Sequence, residues 1–171
     1  MKGILMRNII LIGMPASGKS TVGVILAKIL GMDFLDTDLL IQQREKMLLR
    51  DIIGQRGIEA FLKCEEEALL NVKTQNTVIA TGGSAVYSRP AMEAFREAGI
   101  ICYLKVEKEE LFHRLKNVKE RGVVLINGEG IEEMYEHRSR LYEEYADIII
   151  PEGKSTIEET VQEVVRAVSR E

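Results

Sequence analysis

Apolar residues fall along this chain in short, nearly unbroken runs, separated by longer stretches where they recur every three or four positions. The runs Asn8 to Ile12, Asp33 to Leu35, Thr77 to Thr81, Ile100 to Val106 and Asp147 to Ile150 predict strands. Asn8 to Ile12 and Asp147 to Ile150 show no polar alternation, so these strands are expected to be covered on both faces, as parallel strands in α/β proteins are. Helical periodicity covers Lys19 to Leu30, Ile58 to Val72, Arg89 to Ala98, Lys108 to Val118, Ile131 to Tyr145 and Ile157 to Ser169. Strands alternating with helices predict a three-layer α/β/α sandwich on a five-stranded parallel sheet.

Local punctuation supports these elements. Ser88-Arg89-Pro90 offers an N-cap followed by a proline in the first turn, and Ser155 precedes Glu158 by the three residues of a capping box. The stretch from Asn117 to Gly130 has neither periodicity. It holds three glycines and many charges around the apolar patch Val123 to Ile126, and reads either as a mobile lid over a site or as a plain surface excursion.

Composition narrows the class without choosing a function. At 171 residues, with 46% hydrophobic and 29% charged positions, the chain fits one soluble domain spanning residues 1–171. A net charge of -4 offers no field for nucleic acid. The apolar start resembles a signal peptide, but Arg7 and Asn8 interrupt it and it runs straight into a phosphate-binding motif, so a first core strand is the better reading. We therefore expect a cytoplasmic protein, acting as a monomer, with no membrane or nucleic-acid partner. Cys64 and Cys102 lack metal-ligand spacing and are expected to be reduced, packed side chains.

The chemistry begins at Gly13-Met14-Pro15-Ala16-Ser17-Gly18-Lys19-Ser20, which fits G-x-x-x-x-G-K-[ST] and stands between a predicted strand and a predicted helix. In that context the glycines let backbone amides face a nucleotide's phosphates at the positive end of the helix. Gly13, Ala16, Ser17, Gly18, Lys19, Ser20 and Thr21 are the expected nucleotide-binding set, Lys19 bridging the β- and γ-phosphates and Ser20 ligating Mg²⁺. ATP and Mg²⁺ are the implied cofactors.

Two further clusters belong at the same edge of the sheet. Asp36 and Asp38 flank Thr37 at the end of the second strand, where alternation would aim both carboxylates at one site. One would serve Mg²⁺ and one an acceptor hydroxyl, unless either simply caps the helix that follows. The third strand runs into Gly82-Gly83-Ser84, which is either a tight turn or an acceptor-binding loop. Arg114 and Arg121 lie at the start of the suspected lid and Arg138 and Arg140 on the next helix; a lid arginine would stabilise charge on a transferred phosphoryl group.

The P-loop, Asp36-Thr37-Asp38, Thr81-Gly82-Gly83 and Arg138-Ser139-Arg140-Leu141-Tyr142, in this order over nearly the whole chain, resemble the shikimate kinase family. The resemblance implies the nucleoside monophosphate kinase type of fold, with a mobile lid, and phosphorylation of a hydroxyl on a small polyhydroxylated acid, shikimate to shikimate 3-phosphate. It further implies Asp36 as the Mg²⁺-associated acid and Asp38 as the acid on the acceptor's hydroxyls. Gly82, Gly83 and Ser84 become the acceptor loop and Arg138 the carboxylate-binding arginine. Arg114 becomes the adenine-stacking arginine and Arg121 the lid arginine reaching the phosphates.

Three positions depart from the family pattern. Leu62 stands where Phe-Arg-x-x-Glu has its arginine, within Phe61-Leu62-Lys63-Cys64-Glu65. Gly122 follows Arg121 in place of proline, and Ser84 replaces the last glycine of Gly-Gly-Gly. Leu62 also falls on the stripe of Ile58, Phe61 and Leu69, so it reads equally as core packing. These departures leave two alternatives open: a kinase for an acceptor without a matching carboxylate, or a nucleotide-binding regulatory protein.

Overall fold

The computed structural model describes residues 7–115, 123–152 and 155–170. Strands β1 (Asn8–Ile12), β2 (Asp33–Asp36), β3 (Thr77–Ala80), β4 (Gly99–Val106) and β5 (Ile148–Glu152) form one sheet in the order β2-β3-β1-β4-β5. Every neighbouring pair is parallel. Among the described residues the helices are α1 (Lys19–Leu30), α2 (Thr37–Glu45), α3 (Leu49–Arg56), α4 (Ile58–Leu70), α5 (Arg89–Ala98), α6 (Lys108–Leu115), α7 (Ile131–Tyr145) and α8 (Ile157–Val168).

The sheet is apolar on both faces because helices cover both, and the period of two sorts its residues. Ile10, Ile12, Ile79, Ile101 and Tyr103 pack with Met92 and Phe95 of α5, Leu111 of α6 and Met134 and Tyr142 of α7. Their sequence neighbours Ile9, Leu11, Val78, Cys102 and Leu104 pack with Val22 and Leu26 of α1 and Val161 and Val164 of α8. The expected α/β/α layering is thus present, with the carboxyl ends of all strands along one edge, where open sheets of this kind bind ligands.

A third cluster joins Ile41 of α2, Ile52 of α3, Phe61 and Ala68 of α4 and Val124. Leu62 packs half-buried against it, which favours the packing reading of this position. Two helices, α2 and α3, fill the stretch before α4, where the sequence offers only a helix-like run after Asp38 with no predicted bounds. Lys46 ends α2 in the left-handed region at φ 53°, and the polar composition of α2 hides its buried stripe.

Two local expectations are corrected. Asp36 and Asp38 do not share a strand face, because the chain leaves β2 at Asp36 and turns directly into α2. Asp36 is the N-cap, accepting from the Asp38 and Leu39 amides at 3.0 and 3.2 Å, which satisfies donors a helix start otherwise leaves bare. The capping box of α8 lies one residue later than predicted: Thr156 accepts from the Glu159 amide at 3.2 Å and Glu159 accepts from the Thr156 amide at 2.8 Å. The Ser88 cap of α5 stands as predicted, its hydroxyl accepting from the Ala91 amide at 3.2 Å.

Cys64 and Cys102 form no disulfide with one another. No helix among the described residues is long and apolar enough to cross a membrane. Of the suspected lid, residues 117–122, with Arg121 and Gly122 among them, lie outside the described residues. The part that is described, 123–130, is anchored, since Val124 is buried and Ile126–Gly128 forms a 3₁₀ turn.

Candidate active site

The loop between β1 and α1 is shaped by close approach. Gly13 adopts φ 149°, and a Cβ there would stand 2.7 Å from the Leu104 carbonyl oxygen, so only glycine fits. Ala16 is held at φ 62°, a conformation alanine seldom takes and which the rest of the loop must enforce. Gly18 precedes α1 at φ 85°, and no side chain caps that helix. The first-turn amides and the helix dipole are therefore left to an anionic ligand.

Lys19 is folded back onto this loop. Its Nζ donates to the carbonyls of Gly13 (2.8 Å) and Met14 (2.6 Å) and to Ser17 Oγ (3.2 Å). Burial lowers its pKa to about 8, against the opposing pull of Asp38. Across from it, Ser20 Oγ donates to Asp36 Oδ2 at 2.5 Å. Burial and the neighbouring Asp36 raise the Asp38 carboxyl to about 6, while Lys19 pulls it down.

The turn after β3 closes the other side. Thr81 donates through its amide and Oγ1 to the Leu11 carbonyl at 3.1 and 2.9 Å, locking the end of β3 to β1. The Gly82 amide donates to Thr37 Oγ1 (3.2 Å) and the Gly83 carbonyl accepts from Tyr142 (2.6 Å). A Cβ on Gly82 would meet Asp38 Oδ1 at 2.6 Å and Glu65 Oε1 at 2.8 Å. One on Gly83 would meet Pro15 Cδ at 2.8 Å. A side chain at position 82 would thus displace the Asp38 and Glu65 carboxylates, while one at 83 would run into the rigid Pro15 ring, because Gly83 backs directly onto the P-loop.

These parts border one cleft of ≈ 230 Å³. Ala16, Gly18, Lys19, Ser20 and Thr21 line one end, and Asp38, Gly82, Gly83, Ser84 and Arg138 the other, with Leu49, Phe61, Val123 and Val124 as apolar wall. Arg138 is 1% exposed. It donates through Nε to Tyr87 Oη (2.9 Å) and through Nη2 to the Val124 carbonyl, and its guanidinium lies 5.0 Å from the Tyr87 ring centre. Arg114 is not among the lining residues; it donates to the Ala16 carbonyl (3.3 Å) and pairs with Glu110 (2.8 Å) and Glu152 (3.5 Å). Gly13 and Ser17 support the loop from behind, and Arg121 falls outside the described residues.

Sequence reasoning assigned no role to Glu65, Tyr87 or Thr37, all of which hold the cleft's walls. Glu65 left a usable signal, since it lies one turn after Phe61 on the buried stripe of α4 that also carries Ala68 and Leu69. An acid on such a stripe is rare without a partner. Tyr87 and Thr37 left none, because their bonds reach across the fold.

Comparison with known proteins agrees with this geometry. The shikimate kinase family model matches residues 15–169. A shikimate kinase of Clostridium botulinum (strain Okra / Type B1) is 39% identical over 167 residues, covering 95% of this chain and 96% of the relative. Among solved structures, the shikimate kinase of Acinetobacter baumannii in complex with shikimate superposes with a TM-score of 0.89 at 27% identity, over 96% of this chain and 94% of that one. The enzyme of Aquifex aeolicus gives 0.82 at 32% identity, over 95% and 96%. With its P-loop, Asp38 and its Gly82-Gly83 turn arranged around one cleft, this chain belongs to the shikimate kinase family of ATP-dependent small-molecule kinases.

Proposed function

We propose that this protein transfers the γ-phosphoryl group of ATP to a hydroxyl of shikimate, giving shikimate 3-phosphate and ADP. The observation that carries the reading is the convergence of Lys19, Asp38 and the buried Arg138 on one cleft whose two ends meet where Gly83 touches Pro15.

In this reading the uncapped start of α1 and the loop amides receive the phosphates of the nucleotide. Lys19 turns from the Gly13 and Met14 carbonyls to carry positive charge beside the β- and γ-phosphates; with a pKa of about 8 it is largely protonated at neutral pH. Ser20 and Asp36 fit Mg²⁺, since they bring a hydroxyl and a carboxylate oxygen within 2.5 Å of each other and hard oxygen donors suit that ion. When bound, Mg²⁺ neutralises charge on the phosphates. Thr21 and Arg114 complete the nucleotide side, Arg114 through its place against the Ala16 carbonyl.

On the acceptor side, Asp38 is ionised at neutral pH. It accepts the hydrogen bond of the attacking hydroxyl, orients it, and takes its proton as the new bond to phosphorus forms. Arg138 pairs with the acceptor's carboxylate, Gly82, Gly83 and Ser84 cradle it, and Phe61, Leu49 and Val124 face its ring. Arg121 is assigned to the transferring phosphoryl group on the sequence motif. The chain is read as one domain spanning residues 1–171, working as a monomer in the cytoplasm; sedimentation at 19.3 kDa tests the monomer.

A coupled assay of ADP release with shikimate tests the reaction. Turnover well above acceptor-free ATP hydrolysis is expected, and turnover no greater than that background removes shikimate as the acceptor. A second reading keeps the reaction and changes the acceptor. It is favoured by Leu62, which packs into an apolar cluster and leaves Arg138 as the lone arginine lining the cleft among the described residues. A panel of polyhydroxylated compounds with and without a carboxylate separates the two.

A further inference from the structure

Glu65 is an acid that the reaction above does not use. It is 2% exposed on the inner face of α4. Its Oε2 accepts a 2.7 Å hydrogen bond from Ser84 Oγ, while Oε1 has no hydrogen-bond partner among the described residues. Oε1 is directed at the Cα of Gly82, on the same side from which Asp38 Oδ1 approaches it. The following residue acts in parallel: Glu66 accepts a 2.5 Å bond from Ser88 Oγ. Two consecutive glutamates thus hold both ends of the 3₁₀ turn Ala85–Tyr87, and that turn carries the loop bearing Gly82 and Gly83.

Keeping an acid here is costly. Burial pushes the Glu65 carboxyl up to about 7, with repulsion from Asp38 adding to it and Ser84 and Arg138 opposing. Those three are the groups that face it. Leu62, one turn earlier on α4, contributes packing and no charge. An apolar pair in place of Glu65 and Ser84 would avoid the desolvation cost altogether. What such a pair would lack is a directional tie between α4 and the loop.

Resting on the reading of this cleft as the acceptor site, we propose that Glu65 is a positioning residue which, through Ser84, fixes the Gly82–Ser84 loop and thereby sets affinity for the acceptor. The tie acts beside Asp38 and behind the loop, so it orders the acceptor end and leaves the P-loop end alone. It also gives the Ser84 hydroxyl a defined partner, where a third glycine would leave the Glu66–Ser88 bond at the far end of the turn as the remaining side-chain tie to α4 among the described residues.

The test compares Glu65→Ala, Glu65→Gln, Ser84→Ala and the double variant Glu65→Ala/Ser84→Ala in steady-state assays with shikimate and ATP. Glu65→Ala should raise the acceptor KM several-fold, as loss of an ordering hydrogen bond that leaves the buried Ser84 hydroxyl unpaired does, with the ATP KM unchanged and kcat falling less. Glu65→Gln, whose amide oxygen still accepts from Ser84, should restore most of that affinity. The double variant should be no worse than Glu65→Ala, because both remove one bond. Hydrogen exchange of the free protein gives a readout that needs no acceptor: the peptide spanning Gly82 to Tyr87 should lose protection in Glu65→Ala while the P-loop does not. Unchanged loop protection, or an equal rise in both KM values together with a lowered Tm in Glu65→Gln, overturns the proposal. Wild-type protein that never turns over shikimate overturns the acceptor assignment instead, and loop protection still decides the role of Glu65.

Discussion

Ser20 and Asp36, sixteen residues apart, meet at 2.5 Å between the start of α1 and the end of β2. Asp36 divides its two oxygens between separate tasks: Oδ1 caps α2 and Oδ2 turns to Ser20. The capping role and the proposed metal-binding role are therefore separable by substitution. Asparagine caps a helix about as well as aspartate, whereas alanine costs about 1 kcal/mol. Asp36→Asn should keep the wild-type Tm and raise the Mg²⁺ concentration needed for half-maximal activity, by roughly tenfold for each 1.4 kcal/mol of lost ion binding. Asp36→Ala should show the same Mg²⁺ defect with a Tm lower by about 2–4 °C. A Mg²⁺ titration in which Asp36→Asn matches wild type would remove Asp36 from the metal site.

Arg138 enters the cleft already oriented, by Tyr87 Oη on one side and the Val124 carbonyl on the other. Replacing it with leucine removes a charge-assisted contact worth about 1.5–3 kcal/mol, so acceptor KM should rise roughly 10- to 100-fold. Lysine should restore little, because it lacks the planar fork that uses two fixed partners and still presents a donor. Tyr87→Phe keeps the ring under the guanidinium and deletes one hydrogen bond; a rise of a few-fold is expected for about 0.5–1.5 kcal/mol. Equal KM values for wild type and Arg138→Leu would place the acceptor's anionic group elsewhere.

Much of this architecture was legible because it is written locally. The unbroken apolar run of β1 leading into Gly13 and Lys19 fixes strand, loop and helix within a few residues, and the bounds of α1, α5 and α7 agree with the periodicity. Asp36 and Asp38 were singled out on a shared strand face that the structure does not show. Strand alternation does not apply where a cap turns the chain into a helix at the very next residue. The capping box of α8 slipped because Ser155-Thr156 and Glu158-Glu159 offer the same spacing twice, and packing of Val161 and Val164 on the sheet selects the second. Pairings such as Glu65 with Ser84, nineteen residues apart, depend on how α4 docks and have no signature in either segment alone.

Leu62 tests whether a departure from the family pattern is a change of pocket or of packing. Its side chain packs half-buried on the cluster of Ile41, Ile52 and Val124. Truncation to alanine should cost about 1–2 kcal/mol, below the range for fully buried leucines, with acceptor KM within about twofold of wild type. Leu62→Arg should lower Tm further by placing a charge in an apolar cluster. If acceptor KM instead falls sharply in Leu62→Arg, position 62 faces the acceptor and the native pocket is suited to a compound lacking the group arginine would bind.

The raised carboxyl of Glu65 makes stability depend on pH in a direction opposite to that of an ordinary ion-paired acid. In the folded protein it holds its proton up to about 7, against an ordinary value of 4.5 when unfolded. The folded state therefore binds the proton more tightly. That contribution is fully present below pH 4.5 and is lost as pH rises through 7, because the fold must then bury a carboxylate. At 1.36 kcal/mol per pKa unit the full effect is about 3 kcal/mol, or several degrees of Tm in a domain of this size. Glu65→Gln cannot ionise and should remove this component. Thermal melts at pH 5 and pH 8 are expected to show wild type losing several degrees more than Glu65→Gln over that interval, since other titrating groups cancel in the difference. Parallel pH profiles for the two proteins would mean that Glu65 is ionised throughout, with a cation or water supplying the partner that Oε1 otherwise lacks.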